Sequence, residues 1–557
     1  MFGGGGGMAG GGPQLVYSRR IGAAPRWRAP DGALYQEVPE AATILGAAKL
    51  TGRTADGWSV GVLEAVTARE IARYIDADGM ERTAAVAPLA NHFAGRAQRS
   101  FRDGQTVVGA IATAVHRRLD HPDLAARFRR AALAAGADFR HDWARRAWTL
   151  SGQFAASHIA GEPAVIAAAQ RSSARYYQRP DAEHLEYDPA ATALGGYAAR
   201  LRLARAAGLH WRGHLELSAT SPGFEINDLG FQRDADRIRT NGRIRYVENR
   251  PGPTFRNWEI EAGPEASWNF GGDRLGTQLS ASVQGELLSY WSGEVSYSHH
   301  FEALDDRLTR GGPLAARPAG QRIFARFESD ARRAWTLDGN LSWQRDRAGG
   351  GEWSAELGVG LRPARTWSLS FGPELSRERS PAQYLGTVAD PYATETYGQR
   401  YLFADLEQTT LSLETRLNVT FQPGLTLEVY AQPFLASARF GRPKELRRPR
   451  TFLFDVYGED KGTAACEDGA CTVDPDGAGP AAPFSVELED FNRRSLRGNA
   501  VLRWEWRPGS TLFFVWTQSR EIEERYGDFR FTRDARALLR ARPDNVFLLK
   551  FSYNFNL

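Results

Sequence analysis

The chain has 557 residues, of which 42% are hydrophobic and 24% charged, and its formal net charge is +4 at pH 7. This nearly balanced charge argues against a nucleic-acid-binding protein with a basic face, and 15 Trp, 18 Tyr and 29 Phe exclude a disordered chain. No run approaches the roughly 18 consecutive apolar residues of a transmembrane helix, so a helical membrane protein is excluded as well.

The start of the chain is rich in glycine. Residues 1–12 (MFGGGGGMAGGG) contain eight glycines, with neither the basic region nor the apolar region of a secretory signal. We therefore expect residues 1–13 to be a flexible leader that reflects a misplaced translation start. Residues 14–557 are expected to form one domain.

From about Gln14 onward, hydrophobic residues recur with a period of two, which indicates β-strands. In Leu411–Phe421, alternate positions are mainly apolar and the intervening positions are polar. The residues Gln422-Pro423-Gly424 predict a turn, and the alternation resumes at Leu425. This pattern predicts a hairpin with arms of about ten residues.

The same hairpin pattern repeats to the end of the chain, and we expect about twenty strands. Tight turns alternate with long polar loops near residues 71–90, 161–190, 304–320, 377–398 and 440–494. Only residues 164–175 are predicted to be helical. No linker separates the hairpins, so a single array is favoured over several domains.

The strand length and the aromatic residues at the strand ends favour a membrane protein. A membrane-spanning strand needs about 9–11 residues, and Trp and Tyr are enriched at both interfaces. The prediction is an all-β fold: a single large transmembrane antiparallel up-and-down β-barrel of about 18–24 strands, with long extracellular loops and short periplasmic turns. The expected location is the bacterial outer membrane. A soluble all-β protein is the alternative.

The last strand carries a more specific pattern. Phe547, Leu549, Phe551, Tyr553, Phe555 and Leu557 alternate with polar residues up to the chain end. This pattern resembles the terminal strand by which the barrel-assembly machinery recognises its substrates, although those strands usually end in Phe or Trp. The expected partners are therefore outer-membrane lipid and this machinery, with no nucleic acid.

Five stretches resemble a bacterial family of unknown function. They are Tyr17–Gly22 (YSRRIG), Ile44–Arg53 (ILGAAKLTGR), Gln170–Asp181 (QRSSARYYQRPD), Ser221–Phe231 (SPGFEINDLGF), and Arg507–Thr511 (RPGST) with the strand 512–518. The resemblance implies an outer-membrane β-barrel. Members usually carry a signal peptide and a family 9 carbohydrate-binding-like domain ahead of the Tyr17 stretch, and neither is found in this sequence. The resemblance implies no site residues.

Charged residues on the polar sides of predicted strands are candidates for lining a lumen. A basic group is expected on two neighbouring strands and an acidic group on the next strands: Arg200, Arg202, His210, Arg212 and His214, and Glu259, Glu261, Glu265, Glu286 and Glu294. Two interpretations remain open. The groups could create a transverse field that orients charged solutes, or they could form a salt-bridge lattice that fills the interior.

Three further groups of residues have side chains that could form a site. Arg171, Arg175, Tyr176, Tyr177 and Arg179 could form a loop surface for an anionic or sugar ligand, or an ordered loop packed by its own aromatic residues. Cys466 and Cys471 are expected to form a disulfide in an oxidising compartment. His210 and His214 lie about 13 Å apart on a strand, too far to share a metal, so neither a metal site nor a cofactor is predicted.

The sequence therefore predicts a non-catalytic outer-membrane barrel that passes or binds small polar or carbohydrate-like solutes. One alternative is an outer-membrane hydrolase whose active site lies at the loop rim. Another is a soluble β-rich carbohydrate-binding protein or glycosidase.

Overall fold

The structure is a computed structural model that describes residues 13–28 and 32–555. The predicted leader lies outside the described residues except for Pro13. So do Asn556 and Leu557 of the predicted last strand.

Strands account for 61% of the described residues and helices for only 6%, so the regular secondary structure is nearly all β. The strands are β1 (Tyr35–Glu37), β2 (Ile44–Arg53), β3 (Trp58–Thr67), β4 (Glu70–Ile75), β5 (Glu81–Ala87), β6 (Leu89–Phe101), β7 (Thr106–Arg118), β8 (Ala131–Trp143), β9 (Trp148–Ala160), β10 (Ala193–Arg205), β11 (Trp211–Thr220), β12 (Arg237–Glu248), β13 (Phe255–Trp268), β14 (Arg274–Leu287), β15 (Ser292–His300), β16 (Ala303–Asp305), β17 (Ala315–Arg317), β18 (Gly320–Glu328), β19 (Trp335–Asp346), β20 (Gly351–Ala364), β21 (Trp367–Ala389), β22 (Gln399–Gln422), β23 (Leu425–Leu446), β24 (Phe454–Val456), β25 (Thr463–Glu467), β26 (Ala470–Asp474), β27 (Phe484–Glu487), β28 (Phe491–Arg507), β29 (Ser510–Glu524) and β30 (Asp544–Ser552). The α-helices are α1 (Pro122–Arg127), α2 (Pro163–Gln170) and α3 (Phe531–Arg540), and short 3₁₀ turns occur at Ser18–Arg20 and Thr394–Thr396.

One antiparallel up-and-down sheet contains 22 of these strands: β2, β3, β6–β15, β18–β24 and β28–β30. The remaining strands form three small sheets outside this large sheet, β1-β4-β5, β16-β17 and β25-β26-β27. The predicted all-β, up-and-down architecture is confirmed, and the strand number falls within the predicted range.

The turn predicted after Leu411–Phe421 is at the expected place. β22 ends at Gln422 and β23 begins at Leu425, so Pro423 and Gly424 alone form the connection. Gly424 has φ = 88°, a conformation in which a side chain is unfavourable. Pro508 and Gly509 connect β28 to β29 in the same way.

The strands of this sheet have two chemically different faces. We call the face with alternate apolar side chains the apolar face, and the opposite one the polar face. Large side chains on the apolar face are exposed: Leu215 is 63% exposed, Val295 57% and Leu341 52%. The buried hydrophobic clusters lie elsewhere, where connections pack on the sheet or on one another.

The chain divides into two compact units. Among the described residues, unit 1 falls within Met1–Ile244, Pro264–Thr277 and Arg310–Leu314, and unit 2 falls within Arg245–Gly263, Gln278–Thr309 and Ala315–Leu557. Each unit is described separately below.

The helices differ from the prediction. The expected helix at 164–175 is shorter, ending at Gln170, and the described chain has two further α-helices, α1 and α3. Both α1 and α3 lie in connections between strands, where a short apolar pattern of one or two turns gives little periodic signal. None of the helices among residues 13–28 and 32–555 is long and apolar enough to span a membrane.

Candidate functional site

Three stretches that are far apart in the sequence come together in unit 1. The backbone of Tyr17 donates to the carbonyl of Leu229 (2.7 Å), and Gln14 pairs with Phe231 through two 2.8 Å hydrogen bonds. The Arg175 guanidinium donates to the carbonyl of Phe224 (2.9 Å). We call residues 13–22, 163–181 and 221–236 the polar-face cluster, because they pack on the polar face of the neighbouring strands.

Apolar contacts hold the polar-face cluster against the sheet. Val16, Ile166 and Leu229 are buried in one core with residues from the polar faces of β6–β9: Ala94, Val115, Ala132 and Ile159. Phe224 and Ile226 form a second core with Ala134 and Ala198. Small side chains on the polar face leave the space that these larger side chains fill.

The closest approach between the cluster and the sheet occurs at Gly196 of β10. A Cβ atom at Gly196 would lie 2.1 Å from the backbone nitrogen of Phe224 and 2.5 Å from the carbonyl carbon of Gly223. Both neighbours are backbone atoms, so loop 221–236 itself would have to move to accommodate a side chain.

Gly196→Ala is therefore expected to loosen loop 221–236, at a cost of about 1–3 kcal/mol for overpacking. The measurement is the rate of limited proteolysis within this loop. Gly195→Ala is the matched control, because its Cβ would lie 3.4 Å from its nearest neighbour, the Ser157 carbonyl oxygen, at an ordinary contact distance. Equal cleavage rates in the two variants would contradict the prediction.

An ion-pair network joins the cluster to the sheet. Asp228 contacts Arg117 at 2.7 Å and Arg129 at 2.5 Å, while Glu225 contacts Arg175 at 2.7 Å and Arg129 at 3.4 Å. Two carboxylates thus share three guanidinium groups, all of them largely buried. Arg117 belongs to β7, whereas Arg129 and Arg175 come from two different connections, so the network ties three parts of the chain to loop 221–236.

The network keeps its carboxylates ionised. Burial alone would raise the pKa of Asp228, but the charges of Arg129 and Arg117 outweigh it and hold this pKa far below its ordinary range. The pKa of Glu225 is lowered by Arg129 and Arg175 against the same effect of burial. Carboxylates that stay ionised and paired at neutral pH can hold a loop in place but are poorly suited to proton transfer.

Most residues of the loop that was predicted to offer a ligand surface are buried or half-buried within the polar-face cluster. Arg175 and Arg179 are buried, and Arg179 contacts Asp181 at 3.2 Å. Tyr177 is half-buried, and burial raises its pKa. Arg171 is exposed and lies over the ring of Tyr187. Tyr176 is half-buried with φ = 46°. Of the two open interpretations, this packing favours the ordered loop.

The predicted basic group lies on strands of unit 1. Arg200 and Arg202 are on the polar face of β10, Arg212 and His214 are on that of β11, and His210 precedes β11. Glu216 of β11 lies among them and contacts Arg200 at 2.6 Å and Arg202 at 4.0 Å. His214 is 2.9 Å from the Asn241 side chain. Glu265, also in unit 1, lies 3.9 Å from Arg243.

The rest of the acidic group lies in unit 2. Arg245 contacts Glu261 at 2.6 Å and Glu259 at 3.5 Å, and Arg256 contacts Glu286 at 3.3 Å. Glu294 of β15 stands opposite Arg326 of β18 in the strand register. This local pairing is the arrangement expected of a salt-bridge lattice. A lumen-lining role stays a prediction.

Cys466 and Cys471 form a disulfide across the β25–β26 hairpin, where they face each other in register. No group of three or more His, Cys, Asp or Glu residues in the described part of the chain is arranged to hold a metal ion.

The sequence profile of a family described as a domain of unknown function, DUF5916, matches residues 11–556. The chain belongs to this family. A comparison with curated proteins finds no significant match.

Two solved structures are similar to this chain at low scores. The siderophore receptor PirA from Acinetobacter baumannii is 8% identical, with 89% of this chain and 74% of that chain covered at a TM-score of 0.38. The ferric citrate transporter FecA in its unliganded form is 9% identical, with 84% and 69% covered at a TM-score of 0.29.

Sequence reasoning did not identify the ion-pair network. It singled out Ser221–Phe231 only as a family stretch. The available signal was two acidic residues, Glu225 and Asp228, in an otherwise mostly apolar and glycine-containing segment. Their partners Arg117 and Arg129 lie about 100 positions away, among 70 lysines and arginines, so the pairing was not readable from the sequence.

Proposed function

We propose that this protein is an outer-membrane β-barrel that admits or binds small polar solutes, and that its polar-face cluster acts as a gate. In this proposal the 22-stranded sheet closes around a lumen lined by its polar face. The apolar face contacts lipid, and the terminal strand β30 is recognised by the barrel-assembly machinery. The protein is non-catalytic.

The observation that carries the proposal is the exposure of apolar side chains on one face of the sheet. A water-soluble protein rarely leaves contiguous apolar surface of this extent uncovered, whereas lipid covers it at no cost. The other face carries arginines, carboxylates and amides that bond to one another, as a hydrated interior requires.

Gating is supported by the way the cluster is held. Its contacts with the sheet combine two small apolar cores with the Asp228 and Glu225 ion pairs, and its segments lie outside the strands of the large sheet. Such segments can leave the sheet without disrupting strand pairing.

The solute class follows from the charged and amide side chains of the polar face. As the sequence predicts, the proposed solute class includes carbohydrate-like solutes.

The proposal is tested on the full chain purified in detergent. The folded protein is expected to migrate differently on a gel before and after heating, and to give small, infrequent conductance steps in a planar bilayer. A monodisperse protein in buffer without detergent would refute the membrane location. A folded, detergent-dependent protein with no conductance, even after the gate is weakened as described in the Discussion, would refute passage of solutes.

A further inference from the structure

Helix α3 lies on the apolar face of the sheet in unit 2. Arg494 of β28 is buried beneath the connection that carries the helix. It lies on the apolar face of β28, as do Ala500 and Leu502. Its guanidinium contacts Glu524 at 2.7 Å and Asp534 of α3 at 3.2 Å. These ion pairs fix α3 outside the strands, on the face that the proposed function assigns to lipid.

A groove of about 630 Å³ lies on the same apolar face. Small side chains in its floor, such as Ala500, are surrounded by large apolar ones. Its lining includes Leu502, Phe514, Trp516, Asn545 and Phe547. Asn545 is the one polar residue of this lining, so the groove is suited to a hydrocarbon chain.

A continuous row of contacts joins the groove to α3. The Trp516 indole and the Gln518 amide both donate to the Asn545 side-chain oxygen at 3.0 Å. Two residues further along the same face of β29, Arg520 donates to the carbonyl of Leu539 in the last turn of α3. The C-terminal end of the helix therefore lies next to the polar rim of the groove.

The C-terminal half of α3 and the residues just after it carry positive charge that no ion pair among the described residues neutralises. Arg536, Arg540 and Arg542 are exposed, and within the described residues none of them forms an ion pair. The neighbouring Arg530 and Arg533 are both paired with Asp528. Leu539, between these arginines, is 67% exposed. An exposed helix with arginines and an apolar side chain is typical of a membrane interface.

We propose that the groove and the three arginines together bind one phosphate-bearing membrane lipid. An acyl chain occupies the groove, and Arg536, Arg540 and Arg542 contact the phosphate. The proposal rests on the proposed function, because it requires this face to meet lipid. The ligand is a lipid and not a free phosphate, because the arginines lie beside an apolar groove that a free anion would leave empty.

The test is a lipid titration of the delipidated full chain in detergent, followed by native mass spectrometry. Dioleoyl phosphatidylglycerol is expected to bind more tightly than dioleoyl phosphatidylcholine. Replacing Arg536, Arg540 and Arg542 together with glutamine is expected to weaken phosphatidylglycerol binding on the order of 100-fold, about fivefold for each arginine. Ala500→Trp, which fills the groove and leaves the arginines intact, is expected to weaken it about tenfold.

The matched control replaces Arg362, Arg365 and Arg448 with glutamine, because these exposed arginines of unit 2 lie in other segments. This control is expected to bind phosphatidylglycerol as the unaltered protein does. Equal binding by the control and by the α3 variant would overturn the proposal, as would displacement of the lipid by equimolar glycerol phosphate. If the protein needs no detergent to stay in solution, the proposed function itself fails, which is a different outcome.

Discussion

Replacing Asp228 with asparagine is expected to release loop 221–236 from the sheet. The substitution removes the charge that Arg117 and Arg129 share at 2.7 and 2.5 Å, and both guanidinium groups are largely buried. Breaking a buried ion pair from one side costs about 3–5 kcal/mol, because the remaining charge is left uncompensated. The strands keep their backbone pairing, so the loss is confined to the polar-face cluster.

Two measurements check this result. Limited proteolysis should cut the variant within residues 221–236 much faster than the unaltered protein, and single-channel conductance in a planar bilayer should increase. The control is Asp120→Asn, whose pairs with Arg69 and Arg118 are exposed to solvent and contribute little to stability. If proteolysis and conductance match those of the control, apolar packing alone holds the cluster and the proposed gate is wrong.

Leu341→Arg is expected to destabilise the protein strongly, but only in a membrane. Leu341 lies in the middle of β19 on the apolar face and is 52% exposed. An arginine facing lipid near the bilayer midplane costs about 2–4 kcal/mol, whereas an exposed substitution in water usually changes stability by no more than about 0.5 kcal/mol. The size of the loss in stability therefore shows whether this face contacts lipid or water.

The neighbouring position supplies the control for Leu341. Asn340 is on the polar face, where its side chain donates to Glu356 at 2.8 Å, so Asn340→Arg retains an acidic partner. Urea unfolding of both variants in lipid vesicles should show a large loss for Leu341→Arg and little change for Asn340→Arg. Similar stabilities for the two variants would mean that lipid does not cover the apolar face.

Much of the fold could be predicted because strand structure is encoded locally. The alternation in Leu411–Phe421 and the Pro423-Gly424 turn specify strand, turn and register within about twenty residues. The positions of Glu259 and Glu261 on the polar face follow from the same period of two. Helix α3 was missed because its ten residues offer a short pattern, and its location depends on the buried contact of Asp534 with Arg494.

The sequence by itself therefore determined that this protein is an all-β array of hairpins with one apolar and one polar face, because a period of two requires no knowledge of distant residues. Only the tertiary structure decided which segments pack on the polar face. Backbone pairing brings distant connections together, so that Asp228 contacts Arg117 and Arg129. The lack of a side chain at Gly196 is explained only by the close approach of Phe224. Ion pairs and close packing between segments that are distant in the sequence depend on three-dimensional proximity, which no local pattern encodes.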